Sequence, residues 1–223
     1  MFKLYRKVNK KINIVDLGKM DYKSAWGLQK KFQERVLNRL EEDTLFFVEH
    51  EPVYTLGKNA DRRNLLEAAN SGVSIYDVER GGDITYHGPG QLVGYPILNL
   101  NNYKKNIAWF MRTLELILIQ TLSTFKIVAT QKEGLTGVWV DGKKIGAQGV
   151  RITRWVTMHG FSLNVNTDLK YFDNIIPCGI VDCEVTSMKE LLGASQNMDL
   201  IKKEIVKVFC DTFISSSTIN RAI

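Results

Sequence analysis

The sequence predicts an α+β fold, a single domain of mixed or antiparallel sheet packed by helices. Three observations lead there. The 223 residues suffice for one sizeable core and contain no linker, repeat or low-complexity tract. Short strand-like runs are interrupted by two long helical patterns and followed by a compact last helix. The regular βαβα alternation of a doubly wound parallel sheet is missing. The domain is expected to span residues 1–223, with 1–11 as a flexible N-terminus.

Each element has a local reason. Ile12–Leu17 alternates as a strand, and Asp21 is a good N-cap for a helix whose apolar line runs Ala25, Leu28, Phe32, Val36 and Leu40. Leu45–Glu49 and Val53–Leu56 read as strands separated at Pro52. Asp61–Ala69 reads as a short surface helix, Ser74–Glu79 and Leu92–Leu98 as strands, and Asn101–Lys105 as a polar loop. Asn106–Phe125 is a second long helix, apolar on more than one face and expected to be well buried. Strands are expected at Thr136–Val140, Lys143–Gly146, Gly149–Val156 and Thr157–Val165, with Asp141-Gly142 as a two-residue hairpin turn. Asn166–Asp182 is irregular. Ser187 and Glu190 suggest a capping box for a short helix ending at Gly193. Asp199 is expected to cap the last helix, with Ile201, Ile205, Val208 or Phe209, and Phe213 on its apolar side.

Composition narrows the function. Hydrophobic content of 44% and charged content of 24% are those of a globular protein. No run of about 18 apolar residues occurs, so no membrane association is expected. The basic start, MFKLYRKVNKK, is followed by neither an apolar core nor a cleavage site, so no secretory signal is expected and the protein is placed in the cytoplasm. The net charge of +6 would suit an acidic partner. Basic clusters do not interleave with aromatics, so no nucleic-acid partner is expected. Three cysteines without CxxC spacing, Cys178, Cys183 and Cys210, argue against a disulfide framework or a zinc site, and no metal is expected. Cys210 falls within the last helix and reads as core.

The densest stretch is Arg80–Gln91, RGGDITYHGPGQ, between two strand-like runs. Such a loop allows close backbone approach and supplies N–H groups for a carbonyl or an anion. The phosphate-loop and dinucleotide fingerprints are both absent. A wide turn between strands is the plain alternative. Cys178 lies between Pro177 and Gly179, displayed in a turn, where structural and nucleophilic readings balance. A nucleophilic thiol needs a base or cation beside it, and His50, His87 and His159 are all available by type. Lysine is the other option. Across the Asp141-Gly142 turn, Val140 should face Lys143, Trp139 should face Lys144, and Val138 should face Ile145. An indole beside Lys144 partly dehydrates its ammonium and makes it a better base.

Six blocks in order are similar to one family, the lipoyl(octanoyl) transferases, which belong by fold with the biotin and lipoate protein ligases. The blocks are EHEPVYTLG (Glu49–Gly57), RGGDITYHGPGQLVGYPI (Arg80–Ile97), GVWVDGKKIGAQGVRI (Gly137–Ile152), RWVTMHGFSLNV (Arg154–Val165), IPCGI (Ile176–Ile180) and VTSMKELL (Val185–Leu192). The resemblance implies an acyltransferase that uses no cofactor. An octanoyl group would arrive as a thioester on acyl carrier protein, move to Cys178, and pass to a lysine on a lipoyl domain of a 2-oxoacid dehydrogenase or on the glycine-cleavage H protein. Lys144 matches the lysine that activates the thiol. Arg80, Gly81, Gly82, Asp83, Ile84, Thr85, Tyr86 and His87 match segments lining the acyl substrate. So do Ala147, Gln148 and Gly149, and Gly160, Phe161 and Ser162. Ile84, Tyr86, Trp139 and Phe161 are candidates for the wall of an apolar slot.

The chain also departs from the family pattern. Gly146 and Gln148 stand where small and larger apolar residues are usual, and Phe161 and Ser162 where Leu and Ala are common. Two other functions fit parts of the sequence. An ATP-dependent lipoate or biotin ligase would share the fold. A non-enzymatic module binding lipoyl domains or nucleic acid would explain the charge but leave Cys178 and Lys144 without purpose.

Overall fold

The computed structural model describes residues 11–70, 72–179 and 183–215. All but the last residue of the expected flexible segment 1–11 lies outside these. Among the described residues, nine strands form two sheets. The larger has β1 (Asn13–Lys19), β2 (Thr44–Glu49), β6 (Gln91–Ile97), β9 (Val156–Asn164), β8 (Lys143–Thr153) and β7 (Val138–Val140), in that spatial order. The smaller has β4 (Ser74–Asp77), β3 (Val53–Leu56) and β5 (Ile84–His87). Among the described strands, β1–β2 and β3–β4 pair in parallel and the other pairs are antiparallel, so both sheets are mixed.

Helix α1 (Tyr22–Leu37) packs over one face of the large sheet, with Ala25 and Val36 against Phe46, Val93, Tyr95 and Met158. Helices α2 (Ile107–Thr124) and α4 (Met198–Cys210) share the second cluster, where Phe110, Leu114, Leu118, Ile205 and Phe209 join Phe161, Leu163 and Ile145. A third cluster under the small sheet holds Tyr54, Ile84, Tyr86, Phe172 and Ile175.

Asp21 caps α1 as expected, accepting from the Ser24 N–H at 2.9 Å. The buried row of that helix differs from the apolar line. It runs Tyr22, Ala25, Gln29, Gln33, Val36, with Leu28 and Phe32 only partly buried. The two glutamines go deep because β9 offers them partners: Gln29 Oε1 accepts from the His159 N–H, and Gln33 Nε2 donates to the Val156 carbonyl. Leu40 lies beyond the helix end and is 65% exposed.

Helix α2 buries one broad face and leaves Ile107 and Leu116 exposed, so it is not buried all round. Around the Asp141-Gly142 turn both residues have positive φ, 47° and 86°, as a two-residue hairpin requires. Trp139 pairs with Lys144 and Val140 with Lys143, as expected. A bulge then places Val138 opposite Gly146 instead of Ile145. The strand from Lys143 does not break at Gly146 but runs to Thr153, and the chain reverses at Arg154-Trp155.

Ser187 caps helix α3 (Met188–Leu192), but the Glu190 carboxylate accepts from the Thr186 hydroxyl, so the capping box is half made. Asn197, not Asp199, caps α4, accepting from the N–H groups of Asp199 and Leu200. Ile201, Ile205, Val208, Phe209 and Phe213 are buried as expected, whereas Cys210 is only half-buried.

Where β9 crosses β6, Gly160 has no room for a side chain: a Cβ there would lie 2.2 Å from the Gly94 carbonyl oxygen. Gly27 on α1 has nothing within 4 Å. Gly160→Ala should destabilise the fold by about 1–3 kcal/mol through overpacking. Gly27→Ala should stabilise it by roughly 0.5–1 kcal/mol through helix propensity. Urea unfolding of both variants checks this, and shifts of the same sign would contradict it.

Candidate active site

One cavity lies where the small sheet meets the α1 face of the large sheet, with about 490 Å³ of empty space including its mouth. The glycine-rich segment contributes Arg80, Gly82, Asp83, Ile84, Thr85 and His87, β8 contributes Ala147, Gln148 and Gly149, and β9 contributes Gly160, Phe161 and Ser162. His159, available by type as a partner for the thiol, also lines the cavity. Three further lining residues were not singled out from the sequence. Val93 and Tyr95 alternate on β6 straight after the glycine-rich loop, and that alternation was a usable signal. Tyr22, the first residue of α1, gave none.

Two named residues of the loop lie elsewhere. The Gly81 N–H donates to the Val150 carbonyl at 3.0 Å, tying the loop to β8. Tyr86 turns to the other face of β5, stacked on Tyr171 at 4.6 Å between ring centroids. Trp139 is buried on β7 and does not line the cavity. Arg80 does line it, but its guanidinium works within the fold: Nη2 donates to the Thr55 carbonyl at 2.7 Å and to its hydroxyl, and Nη1 to the Gly81 carbonyl.

The protonation state of His87 follows from its partners. Asn164 Nδ2 donates to the Thr186 carbonyl, so Asn164 Oδ1 is the acceptor for Gln91 Nε2, which also donates to the Tyr86 carbonyl. Gln91 Oε1 is therefore an acceptor, and His87 Nδ1 must be the donor at 2.7 Å. Burial pushes its pKa down to about 3, with neighbouring His50 adding to the effect. His50 is fixed likewise: Nδ1 donates to the Met20 carbonyl, Nε2 accepts from Tyr95, and burial lowers its pKa to about 4. Burial also lowers His159, against the pull of Glu79 3.9 Å away. All three rings are thus neutral near pH 7. His159 adopts φ of 61°, a left-handed conformation uncommon for a non-glycine residue.

Gln148 brings an unsatisfied amide to the lining of the cavity. Both polar atoms of its amide are buried without a hydrogen-bond partner among the described residues.

The Cys178 side chain lies outside the described residues, so its approach to Lys144 is not described. The turn that carries it is defined by its backbone. The Ile176 N–H donates to the Asn64 carbonyl, and the Gly179 N–H to the Ile176 carbonyl. A Cβ on Gly179 would stand 2.5 Å from Asp83 Oδ2, so the turn packs tightly on the glycine-rich loop. Asn64 Nδ2 donates to that same Asp83 oxygen at 2.9 Å. Lys144 is buried on β8, its Nζ 5.0 Å from the Trp139 ring centroid. Its backbone binds the segment after the turn: its N–H donates to the Glu184 carbonyl and its carbonyl accepts from the Thr186 N–H. Among the described residues no group of three or more His, Cys, Asp and Glu side chains could hold a metal ion.

The model of the lipoyl protein ligase A/B catalytic domain matches residues 21–210. The chain belongs to this family. Among its relatives, an octanoyltransferase of Flavobacterium psychrophilum is 48% identical, with 92% of this chain and 98% of the relative covered. One from Flavobacterium johnsoniae is 49% identical, covering 90% and 95%. Solved structures of lipoate protein ligases share the fold at low identity. A bipartite lipoate protein ligase of Thermoplasma acidophilum superposes with a TM-score of 0.72 at 15% identity, covering 91% of this chain and 83% of that one. A lipoate-protein ligase A bound with ATP gives 0.73 at 14%, covering 91% and 85%. The expected biotin/lipoate protein ligase-like architecture is the one observed.

The neutral histidines make stability depend on pH. In the unfolded chain each titrates near 6.5, whereas in the fold His50 and His87 resist protonation until about 4 and about 3. Their contribution is complete above about pH 6.5 and is lost as pH falls below it, by up to about 1.4 kcal/mol per pH unit for each ring. The melting temperature should therefore drop between pH 7.5 and 5.5. An unchanged or rising value in thermal denaturation would contradict the neutral assignment.

Proposed function

We propose that this protein is an octanoyltransferase that moves an octanoyl group from acyl carrier protein, through a thioester on Cys178, to a lipoyl-domain lysine. The near full-length identity to octanoyltransferases carries this reading. The cavity supports it, being bounded by small residues of the large sheet and the glycine-rich loop. The ATP-using ligases share only 14–15% identity in the comparisons above, which disfavours ligase activity.

The chemistry follows from the residue types. The Cys178 thiolate attacks the thioester carbonyl, and the tetrahedral oxyanion collapses to expel the carrier's thiolate, which takes up a proton. The acceptor amine then attacks the acyl-cysteine, loses a proton, and expels the Cys178 thiolate as the amide forms. Thioester-to-amide transfer is downhill, so ATP is not needed. Lys144 is assigned two tasks: its ammonium stabilises the thiolate, and its amine relays the proton. The segment leading from the cysteine turn is bonded to the Lys144 backbone, which supports their pairing.

The wall accounts for the choice of an acyl chain. Val93 and Ala147 are apolar, and burial keeps His87 and His159 uncharged. Burying the chain contributes about 0.8 kcal/mol per methylene. The acceptors are assigned as lipoyl domains of 2-oxoacid dehydrogenases and the glycine-cleavage H protein. Acyl carrier proteins are acidic, and the net charge of +6 favours their approach. No helix among the described residues is long and apolar enough to cross a membrane, and we place the reaction in the cytoplasm.

Incubation with octanoyl-acyl carrier protein should leave an octanoyl adduct on the Cys178 peptide, read by mass spectrometry. Cys178→Ala should abolish both adduct and transfer, and a variant that keeps full transfer would overturn the mechanism. Lys144→Met should slow transfer by roughly 10²–10⁴-fold, the range for a lost general acid–base group. A rate within twofold of the parent would remove Lys144 from the chemistry.

A further inference from the structure

Helix α2 carries one carboxylate that the reaction above does not use. Glu115 is fully buried within an otherwise apolar stretch, where an unpaired charge is costly. Three donors converge on it. The Gly137 N–H binds Oε1 at 2.9 Å, and Arg112 Nη1 and Gln131 Nε2 bind Oε2 at 2.7 and 2.8 Å. All the contacts beyond its own helix go to the segment entering β7, which Arg112 also holds through the Leu135 carbonyl.

The far side of that segment is where Lys144 lies. Gly137 has φ of 143°, a conformation that favours glycine. A Cβ built there would stand 2.4 Å from Lys144 Cε, 3.1 Å from the Gly146 carbonyl oxygen and 3.2 Å from Trp139 Nε1. The Gly137 backbone thus forms one wall of the slot holding the Lys144 stem, and the Trp139 indole lies close to both. A charged carboxylate with two oxygens can accept all three donors. An amide would turn its NH₂ toward at least one of them.

We propose that Glu115 is a positioning residue for the transfer reaction: it clamps Gly137, and Gly137 fixes where the Lys144 ammonium sits relative to the thiol. This rests on the assignment of Lys144 as the thiol-activating group. It gives the buried charge a task beyond stability, because the clamp acts on the side chain whose placement sets the reactivity of Cys178.

The test follows alkylation of the Cys178 peptide by iodoacetamide against pH in the full-length protein, together with octanoyl transfer. The variants are Glu115→Gln, Gly137→Ala and Lys144→Met, with Glu115→Gln and Gly137→Ala repeated in the Lys144→Met background. Gly137→Ala attacks the same contact from the other side and serves if Glu115→Gln does not fold, judged by near-UV circular dichroism. The expected result is an alkylation midpoint shifted to higher pH in both variants and a transfer rate reduced by up to about 100-fold. Lys144→Met should shift the midpoint too, and the second substitution should then add nothing. If Lys144→Met shifts the midpoint while folded Glu115→Gln and Gly137→Ala leave it in place, the clamp is overturned and the lysine assignment survives. If Lys144→Met itself leaves the midpoint unchanged, the lysine assignment fails and the clamp fails with it.

Discussion

The site depends on a buried line of polar groups that runs from the cavity wall to the Lys144 strand. His87 donates to Gln91, Gln91 to Asn164, and Asn164 to the Thr186 carbonyl, while the Thr186 N–H donates to the Lys144 carbonyl. The line crosses β5, β6, β9, the segment after the cysteine turn, and β8. Each buried member needs its neighbour, since a donor or acceptor left alone costs about 1–3 kcal/mol. Backbone carbonyls can only accept, so they set the direction of the whole line and with it the His87 tautomer. Segments far apart in the sequence are thereby held in one arrangement.

This economy explains how a wall made of polar residue types can suit an acyl chain. Arg80 is bound to Thr55 and Gly81, His87 to Gln91, and His50 to Met20 and Tyr95, and burial keeps the rings neutral. Toward the cavity stand glycine, alanine, valine and aromatic surface, together with Asp83, Thr85 and Ser162. Gln148 interrupts it, an amide without a partner among the described residues opposite Phe161 in the strand pairing. The cysteine turn is held by the other polar junction, where Asn64 bridges Asp83 and Ile176.

Much of this was legible in the residues. The helix cap at Asp21, the Asp-Gly hairpin and the pairing of Trp139 with Lys144 follow from local rules with short range. The misses have physical causes. Gln29 and Gln33 look like solvent-facing residues on α1, and only β9 supplies the partners that draw them inward. The bulge that moves Val138 opposite Gly146 leaves no mark in composition. The turn at Arg154-Trp155 uses positive φ at residues that disfavour it, so the strand seemed to continue. The lining segments could be named from the motif blocks, but which side of β5 meets the cavity could not. Alternation puts Thr85 and His87 on one side and Tyr86 on the other. Nothing in the sequence says which side is which.

In the proposed reaction the acyl group travels on the enzyme itself and needs no activation by nucleotide. This is tested most directly by purifying the octanoylated protein, freeing it of carrier and ATP, and mixing it with an unmodified lipoyl domain. The octanoyl mass should leave the Cys178 peptide and appear on the acceptor lysine at the same rate. An acyl group that stays on the enzyme until ATP is supplied would contradict it.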